Sequence, residues 1–205
     1  MKKLITLLLS ILILESCNLQ QPEYQQGIGN YSTKTHVCNE HYSNSSGTLE
    51  YSPNQKITIV GLNNVSKEVL LKAENILQKF YKYNTEIHST NIQISSEYYY
   101  TTPKGVIDAD KLVRSFHPND RVLLITNDLL YGNNTYCRGY TTVQGKVAVC
   151  RNGDFLKETI IHEIGHTYGL LHCKNQTCVM AIYNDEFDSG TFCESCRITI
   201  KYNPN

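Results

Sequence analysis

The sequence predicts an α+β fold, a mixed β-sheet with helices packed on it. Two observations carry this. Along the chain the patterns alternate as strand, helix, strand, helix, strand, hairpin and helix, and such an order builds a sheet with both parallel and antiparallel neighbours. The chain is also the right size: 205 residues, 40% of them hydrophobic, suit one ordinary domain with its own core.

Each element has its own signature. "KITIVGL" (56–62) alternates toward a buried strand. "SKEVLLKAENILQKFYKY" (66–83) opens with Ser66 as an N-cap and sets Val69, Leu70, Ala73, Ile76, Leu77 and Phe80 at helical spacing. "TEIHSTNIQI" (85–94) reads as a strand and "DADKLVRSF" (108–116) as a short helix. "RVLLITN" (121–127) is nearly all apolar, as a strand covered on both faces must be. "CRGYTTVQGKVAVC" (137–150) reads as a hairpin turning near Gln144–Gly145. Asp154 is placed to cap a last helix that ends near Gly169. The chain has 15 Tyr and no Trp, which the sequence alone assigns to surface and strand positions.

Charge excludes one class of partner. Nineteen basic and nineteen acidic residues balance to zero. A nucleic-acid binder carries a basic excess, so no nucleic-acid partner is expected.

The chemistry concentrates in "TIIHEIGHTYGLLHCKNQTCVM" (159–180), which holds three of the chain's 7 His, two of its 8 Cys and one of its 2 Met. His162 and His166 are four apart, so on a helix they share one face and can bind one Zn²⁺. Glu163 follows the first His and reaches a metal-bound water from the side. Zinc lowers the pKa of that water to about 7, and a carboxylate can take its proton, which is how the H-E-x-x-H motif of zinc peptidases works. Gly169, three residues past His166, permits a left-handed turn that stops the helix. The chain then doubles back and brings His172 to the same metal. Three protein ligands leave one position open, the mark of a catalytic zinc. Five such residues at fixed offsets arise by chance on the order of 10⁻⁵ per chain of this composition, so an ordinary amphipathic helix is a poor account of them.

The cysteines point to a second metal. Cys173 and Cys178 form a C-x4-C pair, and Cys193 and Cys196 form a C-x2-C pair. Two such pairs have the arithmetic of a closed, tetrahedral, structural zinc site. It would staple the segment after the helix to the C-terminal tail. The cofactors expected are therefore two Zn²⁺, one catalytic and one structural. Cys137 and Cys150 fall on opposite arms of the expected hairpin, about two residues out of register, so a disulfide between them needs a bulge or a shifted turn. Cys38 could pair with either or stay free. Tyr183, just past Met180, is expected to pack rather than approach the metal. His36, His41, His88 and His117 are scattered and are expected at the surface.

"HEIGHTYGLLHC", "CVM" and "CESC" together resemble the archaemetzincin family of metalloproteases over roughly residues 55–196. The resemblance implies a metzincin-like mixed sheet with an antiparallel edge strand, packed by an active-site helix, and a small zinc-stapled C-terminal subdomain. It assigns His162, His166 and His172 to the catalytic zinc, Glu163 to general base work, and Cys173, Cys178, Cys193 and Cys196 to the structural zinc. Met180 becomes the Met-turn residue beneath the metal. It also implies a peptide or protein substrate, held in extended form against the first arm of the hairpin, around Arg138–Val143.

The N-terminus reads as an export signal. "MKK" is a basic start, and "LITLLLSILIL" (4–14) is an apolar run of about 11 residues, too short to span a bilayer but suited to a signal peptide. "LESC" then resembles the lipobox of bacterial lipoproteins, which would make Cys17 the acylated first residue. The expected division is a signal peptide at 1–16, a polar tether and N-terminal segment at 17–55, and a catalytic domain at 56–205. The function expected is that of an exported zinc metallopeptidase, lipid-anchored at the periplasmic or cell surface. The alternative from another class is a zinc-dependent peptide-binding or sensor lipoprotein without turnover, which would have no need of Glu163. A thiol–disulfide protein using Cys193 and Cys196 lacks a thioredoxin-like context.

Overall fold

A computed structural model of the chain describes residues 50–101, 105–181 and 190–201. Cys17, His36, Cys38, His41 and Tyr183 lie outside the described residues, as do the expected signal peptide and most of the expected tether.

The described chain runs β1 (Lys56–Gly61), α1 (Lys67–Ile76), β2 (Asn84–Ile87), β3 (Val106–Asp108), α2 (Ala109–Ser115), β4 (Arg121–Thr126), β5 (Leu129–Gly132), β6 (Thr135–Cys137), β7 (Gly139–Thr141), β8 (Val147–Arg151), α3 (Leu156–Thr167) and α4 (Glu194–Thr199). Five strands form one mixed sheet in the order β2-β1-β4-β8-β7. The first four are parallel, and β7 closes the edge antiparallel to β8. The expected α+β architecture with an antiparallel edge strand is what folds.

Strand alternation divides the core into two layers. Ile57 and Ile59, Leu123 and Ile125, and Ala148 and Cys150 face one way, against Leu70, Ala73 and Leu77 of the first helical segment and Ile160, Ile161 and Ile164 of α3. Val60, Leu124, Val147 and Val149 face the other way, against Leu112 and Val113 of α2 and Leu130 of β5. β4 is covered on both faces, which is why its sequence is nearly all apolar.

Local signals explain the elements around these layers. Ser66 caps α1 through its hydroxyl, which accepts from the Val69 N–H at 3.4 Å. The helix widens into a π turn over Leu77–Tyr81 and ends at Lys82 in the left-handed region, φ 53°. Asp108 caps α2 by accepting from the Lys111 N–H at 3.0 Å. The strand expected over 85–94 shortens to β2, and Ile92 makes only a single parallel bridge to Leu62. Asp154 does not cap the last helix: α3 begins at Leu156, with Phe155 at the N-cap and no side-chain cap.

The hairpin is present but shorter than expected. Its arms are β7 and β8, with Gly139 opposite Cys150 and Gln144 in the turn at φ 61°. Cys137 lies outside it, in β6, paired with Leu130 of a second, three-stranded sheet β3-β5-β6. No disulfide joins Cys137 and Cys150. The two-residue offset is retained because Cys137 serves a different sheet.

The tyrosines have a structural task the composition did not reveal. Tyr51, Tyr81, Tyr83 and Tyr168 are buried together around the C-terminal half of α3. The Tyr81 hydroxyl donates to the Ile161 carbonyl of α3 at 2.7 Å, and the Tyr51 hydroxyl donates to the Tyr81 carbonyl at 2.6 Å. The Tyr83 and Tyr168 hydroxyls share a further hydrogen bond. Each buried ring thereby satisfies its polar end and ties α3 to the turn after α1.

Candidate functional site

Two candidate ligands come from helix geometry and the third from the turn that ends the helix. His162 and His166 lie one turn apart on α3, with ring centroids 4.6 Å apart. Tyr168 is the C-cap, and Gly169 follows in the left-handed region at φ 88°. The Gly169 N–H donates to the His166 carbonyl at 2.8 Å, and the Leu170 N–H donates to the Gly165 carbonyl at 3.2 Å. This pair of bonds is a Schellman motif, in which glycine carries the positive φ. It reverses the chain and returns His172 to the helix, with its Nε2 3.2 Å from that of His162.

The tautomers can be assigned from the partners. His162 Nδ1 lies 2.8 Å from the Val179 carbonyl, and His166 Nδ1 lies 2.6 Å from the Leu170 carbonyl. A carbonyl only accepts, so each Nδ1 donates and each Nε2 of a neutral ring carries a lone pair. Burial pushes all three imidazoles below the usual histidine range, His172 to about 3, so they are neutral at pH 7. The Nε2 atoms of His162 and His166 thus face each other at 3.0 Å, lone pair to lone pair. That contact is repulsive unless a cation lies among them. Nitrogens about 2.0–2.1 Å from a tetrahedral zinc would be about 3.4 Å apart, within a few tenths of the observed spacing. The donor set fits zinc.

Glu163 sits beside this trio, only 6% exposed. Burial pushes its carboxyl up to about 8. A cation among the imidazoles acts in the opposite sense and favours the carboxylate.

Met180 lies beneath the helix, fully buried. A Cβ on Gly165 would stand 2.6 Å from its Sδ and 3.2 Å from Phe192 Cε1. The glycine inside "HEIGH" is therefore what lets the methionine reach the helix. Sequence reasoning passed over Gly165, because the motif requires no particular residue there. The next residue back, Val179, supplies the carbonyl that orients His162. The Cys173 N–H donates to the Met180 carbonyl at 2.8 Å, which locks the returning strand to this turn.

The four cysteines also meet. Their sulfurs all lie within 4.8 Å of one another, and Cys173–Cys193 and Cys178–Cys196 are each 3.7 Å apart. Those distances are far beyond a disulfide bond. They match the edge of about 3.8 Å of a tetrahedron with sulfurs 2.3 Å from zinc. The Asn175 and Cys193 amides donate to Cys173 Sγ and Cys178 Sγ at 3.4 and 3.3 Å. The hydrogen bond shared with Cys196 pulls Cys178 down to about 5 and pushes Cys196 up. The helix α4, N-capped by Cys193, holds the second pair.

Fold and site together define a zinc-peptidase-like metal centre on a mixed sheet. Residues 92–202 match Peptidase family M54, and the chain belongs to that family of zinc metallopeptidases, which are hydrolases. The archaemetzincin of Methanocaldococcus jannaschii is 30% identical over 122 residues, a match covering 48% of this chain and 68% of that one. The archaemetzincin of Pyrococcus horikoshii is also 30% identical, over 64% of this chain and 86% of its own. The crystal structure of archaemetzincin from Archaeoglobus fulgidus, complexed with malonate, superimposes with a TM-score of 0.61 at 25% identity, covering 71% of this chain and 99% of that one. Zinc is the metal of this family, and the His and Cys groups described above are the places to hold it.

The Gly165–Met180 contact yields a prediction. Gly165→Ala overpacks a full site and should lower stability by about 1–3 kcal/mol. By displacing Met180 and its neighbour Val179, it should also loosen zinc retention. Urea unfolding and metal analysis after dialysis would measure both, and wild-type values in each would remove Gly165 from this role.

Proposed function

We propose that this chain is an exported, lipid-anchored zinc metallopeptidase that hydrolyses peptide bonds with Glu163 as general base. The observation that carries the reading is the convergence of three neutral imidazole Nε2 atoms beside one buried carboxylate. His162, His166 and His172 would hold the catalytic zinc, and Cys173, Cys178, Cys193 and Cys196 a structural one. Zinc so held supplies Lewis acidity that acidifies water and polarises a peptide carbonyl.

The rest of the work belongs to the chain's own residues. A Glu163 Oε takes the proton of the attacking water and later passes it to the nitrogen of the leaving amine, so the carboxylate is regenerated. The Val179 and Leu170 carbonyls hold His162 and His166 in the ligating tautomer. Gly169 and the Met180 turn keep His172 and the helix in place. The substrate is a peptide or protein segment, laid extended along β7, the antiparallel edge of the sheet. A zinc-dependent binder without turnover would gain nothing from a carboxylate buried at this point.

Export and anchoring are proposed from the basic start, the short apolar run and "LESC" ending at Cys17. Among the described residues no helix is long and apolar enough to cross a membrane, so attachment would rest on the acyl chains at Cys17.

Glu163→Gln should keep its zinc and lose about 10²–10⁴-fold in peptidase turnover. Unchanged turnover in the metal-loaded variant would exclude Glu163 as the base, and no turnover from any zinc-loaded form would favour the binder. Metal counting separates the two sites. The native chain should carry two zinc ions, Cys193→Ser with Cys196→Ser should lose one and melt earlier, and His172→Ala should lose the other together with activity. Two ions retained by the double cysteine variant would refute the four-cysteine site. For localisation, the native protein should resist salt extraction and yield to detergent. Cys17→Ser should either release it in soluble form or leave its signal uncleaved. A salt-extractable native protein with an unmodified N-terminus downstream of Cys17 would rule out the anchor and leave the peptidase reading standing.

A further inference from the structure

β7 passes directly over the catalytic helix, and the residue that faces the helix there is Gly139. A Cβ at this position would stand 2.6 Å from Glu163 Cγ, 2.7 Å from Glu163 Oε1 and 2.7 Å from Thr159 Cγ2. No real Cβ tolerates such contacts, so something would have to move. Thr159 is held, because its hydroxyl donates to the Phe155 carbonyl at 2.8 Å and turning the side chain breaks that bond. Gly139 is held as well, by its place opposite Cys150 and by the neighbouring bond from the Arg151 N–H to the Arg138 carbonyl at 2.7 Å. The Glu163 side chain, with three rotatable bonds and a buried carboxyl, gives way most readily; Thr159 Cγ2 must yield as well, because no movement of Glu163 relieves that contact.

The same strand sets where a substrate lies. Hydrogen bonding alternates along an antiparallel pair. Arg138 bonds to β8, so Tyr140, opposite Val149, does so too, and the peptide groups of Gly139 and Thr141 point to the open edge. Gly139 thus touches the base with its missing side chain and offers its backbone to the edge where an extended peptide would add.

We infer that Gly139 is a positioning residue for Glu163: the absence of a side chain fixes the carboxyl between the edge strand and the helix, at a set distance from whatever peptide adds to β7. This rests on the reading of Glu163 as the base. Any side chain at 139 displaces the carboxyl by about the width of a methyl contact while leaving the imidazoles, the cysteines and the strand edge intact. A misplacement of about 1 Å in a reacting group costs up to about 10²-fold in rate.

The test is Gly139→Ala in the full chain, followed by turnover of a peptide library, zinc content and a crystal structure. The expected result is kcat lower by about 10–10²-fold, KM and zinc content unchanged, and the Glu163 carboxyl displaced in the electron density. Glu163→Asp alone should lower kcat, because the shorter side chain falls short. Asp keeps the Cγ that lies nearest the new methyl, so the control is made at Thr159: Thr159→Ser removes Cγ2, and in the Gly139→Ala background kcat should stay low because the methyl still meets Glu163 Cγ. If Gly139→Ala alone fails to fold, the double variant Gly139→Ala/Thr159→Ser decides. A folded double variant with lowered kcat and a displaced Glu163 carboxyl supports the contact with Glu163, and one that misfolds or turns over at the wild-type rate overturns it. Wild-type kcat in Gly139→Ala, or an unmoved carboxyl, also overturns the inference. Glu163→Gln separates the two levels: if it is inactive while Gly139→Ala is fully active, only the positioning role is lost. If Glu163→Gln is fully active, the reading of the base fails first.

Discussion

Three imidazole lone pairs must meet at one point, and a straight helix can bring only two of them. Everything else about the site follows from how the third arrives. The Schellman turn at Gly169 is the device: one residue at positive φ, two backbone bonds closing the helix end, and a chain that returns His172 within reach. A side chain on residue 169 would be strained in that conformation, so the reversal depends on the glycine being there. The turn also does a second job, since the Leu170 carbonyl it exposes fixes the tautomer of His166.

A turn can only aim a ligand if the helix beneath it stays still, and several separate contacts hold α3. The sheet buries Ile160, Ile161 and Ile164. The tyrosine cluster grips the helix backbone at Ile161 and packs around Tyr168. At the far end of the sheet the hairpin turn reaches over, and the Gln144 N–H donates to the His166 carbonyl at 2.8 Å. Arg121 stacks on the Tyr168 ring at 4.3 Å and donates to the Thr167 hydroxyl at 3.0 Å, placing a cation at the helix C-terminus where the dipole favours it. The cysteine cluster holds the other wall, because Cys178, Val179 and Met180 are consecutive and Val179 orients His162.

The sequence disclosed most of this where a rule leaves few options. The two histidines at i and i+4, the glycine three residues on and the paired cysteines each have one economical reading, and the donor atoms converge accordingly. The long apolar run of β4 and the amphipathic α1 were legible for the same reason. What escaped notice was short or relational. β3, β5 and β6 have three or four residues each, too few for a period of two to stand out. Cys137 looked like a hairpin residue because nothing local reveals that it pairs with Leu130 in another sheet. Gly139 and Gly165 carry no signal of their own. Each is defined by what lies across from it, Glu163 in one case and Met180 in the other, and only the folded chain brings those together. The tyrosines looked generic for the same reason.

An open strand edge that can accept a peptide can also accept another protein's strand, including that of a second copy. β7 is three residues long, ends in a tight turn at one side and begins beside the charged Arg138 at the other. It turns outward the peptide groups of only two residues, Gly139 and Thr141. A ladder that short is too weak to zip two folded copies together, yet it suffices to register a flexible segment. The brevity of the edge therefore guards against aggregation while leaving the outward peptide groups of Gly139 and Thr141 able to pair with one extended segment.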